Sequence, residues 1–158
     1  MADVRPQPSS GDDARARGLF DRAVVYWNAE AFFEAHEDWE TLWNEAEGPR
    51  RAWLQGLIQF AAGFHHVERG TASGFAKLMR TASAKAGSYA GDTHGIDFAR
   101  LWADLQPWIA HGERVATGAP VRPGAPEAFP KIVYKPGAVP LPAAPDDDDD
   151  DDDDGDGA

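Results

Sequence analysis

Two helical segments joined by Gly48-Pro49 constrain this chain more than any other feature of its sequence. The first, around Phe32 to Trp43, packs four aromatics, four acids and one histidine into one short stretch. The second, from about Pro49 to Arg69, is apolar around most of its circumference, with Trp53, Leu54, Leu57, Ile58, Phe60, Ala61 and Phe64. A helix that is greasy nearly all round must be enclosed by other helices, so this one belongs in the middle of a bundle. Proline in its first turn costs nothing, because the N–H it lacks would have no partner there. Gly56 and Gly63 share the far side of this helix, where a neighbour can approach closely.

The rest of the chain supplies the neighbours. Residues 1–12 read as a disordered lead. Asp12 or Asp13 caps a first helix whose Leu19, Phe20, Ala23, Val24 and Trp27 follow the helical period. The motif helix spans about Glu30 to Ala46. Gly70 to Gly74 form a turn, and Phe75, Leu78, Met79, Ala82, Ala86 and Tyr89 make the seam of a fourth helix. Asp97 opens a fifth, carrying Phe98, Leu101, Trp102, Leu105 and Ile109, with Pro107 as a kink or break. The expected fold is therefore all-α, a bundle of about five helices over residues 13–117. A proline- and glycine-rich arm follows over 118–143, in which Phe129 to Tyr134 can dock as an extended segment. Residues 144–158 form an acidic tail with too little apolar content to order itself.

That tail distorts the net charge of −12. Asp146 to Asp154 with Asp156 hold 10 of the 27 acids, which leaves 17 acids against 15 bases. A near-neutral body with no basic patch argues against nucleic acid as a partner. The chain has no cysteine, which removes disulfides, iron–sulfur clusters and thiolate zinc sites and fits a cytoplasmic protein. Met1 to Gly11 lacks an apolar stretch of signal-peptide type. No apolar run approaches the roughly 20 residues that cross a bilayer, so a soluble chain is expected, with no membrane partner. A bundle this small is compatible with pairing of identical chains through an apolar helix face.

Function concentrates on the motif helix. At about 100° per residue, Phe32, Ala35, Trp39, Leu42 and Trp43 form its buried face. His36 falls inside that stripe, Glu40 on its edge one turn later, and Phe33 and Glu37 on the mixed border. Glu34 and Asp38 point away, to solvent. On the following helix Gln55, Gln59 and His66 form a polar column. Matching levels across the Gly48 turn places Glu37 opposite Gln59 and Glu40 opposite Gly56 beside Gln55.

Two chemistries fit this pattern. Imidazole and carboxylate at i and i+4 share a helical face, as metal ligands of helical hydrolases do. His36 and Glu40 then ligate a divalent metal with His65 or His66, and Glu37 is the general base. His94 and His111 are spare third ligands that no spacing requires. Alternatively His36, Glu37 and Glu40 hydrogen-bond to Gln55 and Gln59, with Arg50, Arg51 or indole N–H groups completing a buried polar network. Level matching favours the network, since it sets glutamines and not histidines opposite the motif. In that reading Phe33, Trp39 and Trp43 line a groove for a small molecule, a peptide or a second subunit.

Phe33-Glu34-Ala35-His36-Glu37-Asp38-Trp39-Glu40-x-x-Trp43, followed by Leu54-Gln55-Gly56-Leu57-Ile58-Gln59-x-Ala61-Ala62, resembles the family catalogued as domain of unknown function 309. Gly70-x-x-x-Gly74 and Gly95-Ile96-Asp97 extend the likeness, which covers about residues 15–110. It implies a compact helical bundle. Members are sometimes labelled metal-dependent hydrolases, which implies the roles just given to His36, Glu37 and Glu40. The family's motif positions here are Glu34, His36, Glu37, Trp39, Glu40, Trp43, Gln55 and Gln59, all present.

Overall fold

The structure is a computed structural model that describes residues 10–138, with side chains from Ala14 onward. The acidic tail, the end of the arm and the first nine residues lie outside the described residues. Within them the chain forms five helices: α1 (Ser10–Asn28), α2 (Phe32–Trp43), α3 (Gly48–Arg69), α4 (Ala72–Ala86) and α5 (Phe98–Ala116). Among the described residues there is no strand, only an isolated antiparallel bridge between Ile96 and Tyr134. No described helix is long and apolar enough to cross a membrane.

The all-α bundle expected from periodicity is what forms, with α3 at its centre, packed on α2 and on α4, while α1 packs on α2 and α4 on α5. Trp27, Trp39, Trp53, Phe20, Phe32, Phe60, Phe64 and Phe75 are enclosed in one core. The two α3 glycines meet α4 as their spacing suggests. A Cβ on Gly56 would fall 2.7 Å from the Ala86 Cβ, and one on Gly63 would run into the Met79 methyl group.

Several boundaries differ from the periodicity. α1 begins at Ser10, which places Asp12 and Asp13 inside the helix and not at the position before it. α2 is shorter than Glu30 to Ala46. Glu30 takes a left-handed conformation (φ 63°) and Ala31 N reaches back to Tyr26 O at 2.8 Å, a tight joint that ends α1. At its other end Glu45 N to Leu42 O and Ala46 N to Trp43 O, 3.0 and 3.2 Å, replace the α-helical pattern with a tighter turn. α4 ends at Ala86, so Tyr89 is not part of its seam. It lies in the following loop and stacks on Trp53 at 4.8 Å. α5 runs through Pro107 without a break. Pro107 and Ala103 are both exposed, so the carbonyl deprived of a donor sits on the wet side of the helix. Asp97 caps α5, its Oδ1 accepting from Arg100 N at 3.1 Å.

The arm after α5 is strapped across α1 and α5. Trp27 Nε1 donates to Pro130 O at 2.7 Å. Asn28 exchanges two hydrogen bonds with Ile132, at 2.9 and 2.8 Å. Phe129 packs on Phe32, Phe64 and Trp108. Trp108 Nε1 donates to Ala128 O at 3.1 Å, and Tyr134 to Asp21 at 2.5 Å.

Candidate functional site

α2 lies with α1 on one side and α3 on the other, and this sets the fate of each motif residue. Phe32, Ala35, Asp38, Trp39 and Leu42 are buried. His36 and Trp43 are half-buried, and Glu34, Glu37 and Glu40 are exposed. Phe33, a large apolar side chain, is 47% exposed.

Asp38 overturns the expectation that it faces water. It is 7% exposed and grips Arg22 of α1 through two contacts of 2.8 Å, Arg22 Nε to Oδ2 and Nη2 to Oδ1. A planar guanidinium meeting both carboxylate oxygens is the strong, oriented form of an ion pair. The angular reading assumed one buried face, whereas α2 is covered from two sides.

Glu40 errs in the opposite direction. Its angular position at the edge of the stripe predicts a carboxylate in need of partners, but it is exposed and needs none.

The hydrogen-bonded network between α2 and α3 does not form either. His36 Nδ1 and Gln59 Oε1 are both enclosed without a partner, as are the indole nitrogens of Trp39, Trp43 and Trp53. Arg50 bonds Asp92 at 2.8 Å, and Arg51 lies over the Trp43 ring at 3.9 Å. Level matching gives the rung on which residues face each other but not their rotation about the helix axis. Glu37 and Glu40 are turned outward.

What α2 and α3 do share is a group of rings. Phe33 stacks on His36 at 5.7 Å and 27°, and meets His65 at 5.6 Å and 45°. His65 Nδ1 is 3.9 Å from Glu68 Oε1. Burial raises the pKa of Glu68, His65 opposes that rise, and the negative charges of Glu30 and Glu34 add to it. Glu37 and Glu40 follow Phe33 by four and seven residues on the same helical face. The exposed ring is therefore rimmed by carboxylates.

The remaining histidines scatter. His66 turns to α4, where a Cβ on Gly74 would lie 2.7 Å from its ring. Burial, followed by the charges of His65 and Arg69, pulls its pKa below the usual value. His111 is buried, with Nε2 2.8 Å from Val121 O and Nδ1 3.2 Å from Arg114 Nη2. A guanidinium can only donate, so Nδ1 accepts and Nε2–H donates, and both nitrogens of a neutral ring are committed. His94 stacks on Phe20 at 4.4 Å, and burial, reinforced by Arg50, lowers its pKa to about 4. Among the described residues no group of three or more His, Cys, Asp or Glu is placed to hold a metal ion. His36, Glu37, Glu40, His65 and His66 form no such group.

A second polar cluster was not visible in the sequence. Tyr134 donates to Asp21, which is 3% exposed, and Arg17 Nε lies 3.1 Å from the same carboxylate. Burial, then the Asp21 hydrogen bond, raises the Tyr134 pKa. The Arg17–Asp21 spacing of four was readable as a helical pair. Nothing local announced a tyrosine 113 residues away.

Residues 20–78 match the model of a family described as Domain of unknown function (DUF309). Over that stretch the chain is similar to this family. The match runs from Phe20 in α1 through all of α2 and α3 to Leu78 in α4, and includes every motif residue named above. α5, its Gly95-Ile96-Asp97 entry and the arm lie beyond it. A search of characterised proteins finds no match to the chain.

Proposed function

We propose that this chain is a non-catalytic interaction module whose working face is the Phe33, His36 and His65 patch with its acidic rim. The observation that carries the reading is the combination of an exposed phenylalanine backed by two imidazoles with carboxylates on the surrounding face. A metal-dependent hydrolase needs three converging ligands and one open position. The donor set here does not fit that requirement, so no hydrolytic step is derived from it. The rest of the motif serves the fold: Trp39 fills the core, Asp38 fixes α1 against α2 through Arg22, and Trp43 carries Arg51 on its ring.

The chemistry of the face selects its partner. A second copy would bring the same carboxylates against themselves, and the chain's own aspartate tail carries the same sign. Opposite potentials steer association and like charges suppress wrong partners. The fitting occupant is a basic segment of another protein carrying at least one large apolar side chain, with Phe33 as anchor and the rim charges setting register and salt sensitivity.

Fluorescence anisotropy with short labelled peptides rich in lysine and arginine and bearing one leucine or phenylalanine tests this. The full chain and its Phe33→Ala variant are compared, with acidic peptides as controls. The aspartate tail contributes equally to both proteins, so the difference between them belongs to the patch. Phe33→Ala is expected to weaken binding by roughly tenfold, and added salt to weaken it further. Equal binding by both proteins, or no binding of any basic peptide, overturns the proposal.

A further inference from the structure

The loop between α4 and α5 forms the wall between two open grooves, of about 630 and 350 Å3, that no residue of α2 lines. The smaller one is walled by Tyr89, Phe98 and Trp102, with Thr93, Asp97 and Lys135 among its polar lining. We propose that this slot is a binding site for a small planar aromatic carboxylate, held between ring faces and the Lys135 ammonium.

Three features carry the proposal. The walls are held by packing and do not depend on loop conformation alone. Tyr89 is stacked on buried Trp53 at 4.8 Å and 15°, and Trp102 lies beside Phe98 at 6.1 Å. Trp102 also lies so close to Gly87 that a Cβ there would meet its ring at 2.9 Å. The neutral and acidic lining groups are already engaged. The Tyr89 hydroxyl donates to Asp92 O at 2.7 Å, the Thr93 hydroxyl to Ile96 O at 2.8 Å, and Asp97 Oδ1 caps α5. Of the Asp97 carboxylate one oxygen, Oδ1, is committed to the α5 cap, and Lys135 is the lining cation. It is exposed, forms no ion pair among the described residues, and sits on backbone fixed by Lys135 N to Gly95 O at 2.8 Å and by the Ile96–Tyr134 bridge. Across the Tyr89 wall the larger groove is lined by Lys85 and Glu47 and by Arg50, which is paired with Asp92 at 2.8 Å.

Aromatic faces prefer offset or edge-on partners, and an exposed ammonium beside them supplies the polar contact that fixes a ligand's orientation. A slot of about 350 Å3 is at the small end of ligand sites and suits one or two fused rings. Recognition is thus of a flat apolar body with a negative charge on its edge, at a place separate from the Phe33 patch.

The test is titration of the isotope-labelled full chain with 1-naphthoate and with its neutral isostere 1-naphthamide, followed by NMR. The expected result is saturable shifts of the Ala90, Gly91 and Ala99 amides and the Trp102 indole with the acid, and roughly tenfold weaker binding of the amide. In Lys135→Gln, which removes an exposed side chain, the two ligands should bind alike and weakly. Trp102→Leu should weaken both. No saturable shift, shifts confined to residues outside the slot, equal affinity for acid and amide, or an acid preference that survives Lys135→Gln each overturns the assignment.

Discussion

Replacing Asp38 by asparagine separates a structural motif from a catalytic one, because the motif acid buried in the fold is one that no metal or acid–base reading uses. The substitution keeps the shape of the side chain and removes its charge. Asp38 is 7% exposed, and its side chain makes two contacts of 2.8 Å to Arg22. Hydrogen bonds to charged groups are worth about 1.5–3 kcal/mol each, and breaking a fully buried ion pair costs about 3–5 kcal/mol. The Arg22 side chain, however, keeps 25% of its surface in water and lies 5.8 Å from the Tyr26 ring. Both reduce the penalty, and asparagine retains one acceptor, which leaves a loss of about 2 kcal/mol. For a domain of this size that corresponds to a Tm lower by roughly 6–10 °C. Urea unfolding followed by tryptophan fluorescence and by circular dichroism measures it. A double-mutant cycle with Arg22→Met should show a coupling of at least about 1 kcal/mol. Glu37→Gln and Glu40→Gln, at exposed positions, should each stay within about 0.5 kcal/mol of wild type. If Asp38→Asn cost less than the two glutamate replacements, the account of α2 as clamped through Asp38 with its glutamates in water would be refuted.

Mass spectrometry for metals on untagged full chain, beside its His36→Ala variant, should show no stoichiometric transition metal that depends on His36; a near-stoichiometric metal lost in the variant would return the hydrolase reading to first place. Gly56→Ala should destabilise the domain by about 1–3 kcal/mol, since its Cβ would stand 2.7 Å from that of Ala86, and denaturant unfolding that shows no loss would mean the α3–α4 contact is looser than described. His94, lowered from 6.5 to about 4, is neutral in the fold and takes up a proton on unfolding between those values. Its contribution is therefore complete above about pH 6.5 and declines as pH falls toward 4, so the fall in stability between pH 6.5 and 5 should flatten in His94→Asn. The asparagine also tolerates the left-handed backbone at that position (φ 55°).

What the sequence disclosed and what it hid divide along a physical line. Properties of a single helix were readable from it. An all-round apolar α3 had to be central, and its glycines had to mark a close neighbour, because each follows from the helical period alone. Properties that depend on how many neighbours a helix has were not. Asp38 was assigned to solvent because an angular plot allows one buried face, and α2 has two covered sides. Tyr89 continued a seam on paper but follows Gly87, where α4 has ended, and the same ring is instead covered by Trp53 across the loop. The polar network failed for a third reason. Matching residues across a turn fixes height along paired helices, whereas hydrogen bonds need rotation as well, and a turn of about 100° between adjacent residues carries a carboxylate from groove to water. The Asp21–Tyr134 contact is the limiting case, since a pair 113 residues apart leaves no periodic trace. A motif dense in chemical side chains is therefore weak evidence of chemistry until its rotation is known. In α2 that rotation sends Glu34, Glu37 and Glu40 outward with Phe33 and turns Asp38 inward to Arg22.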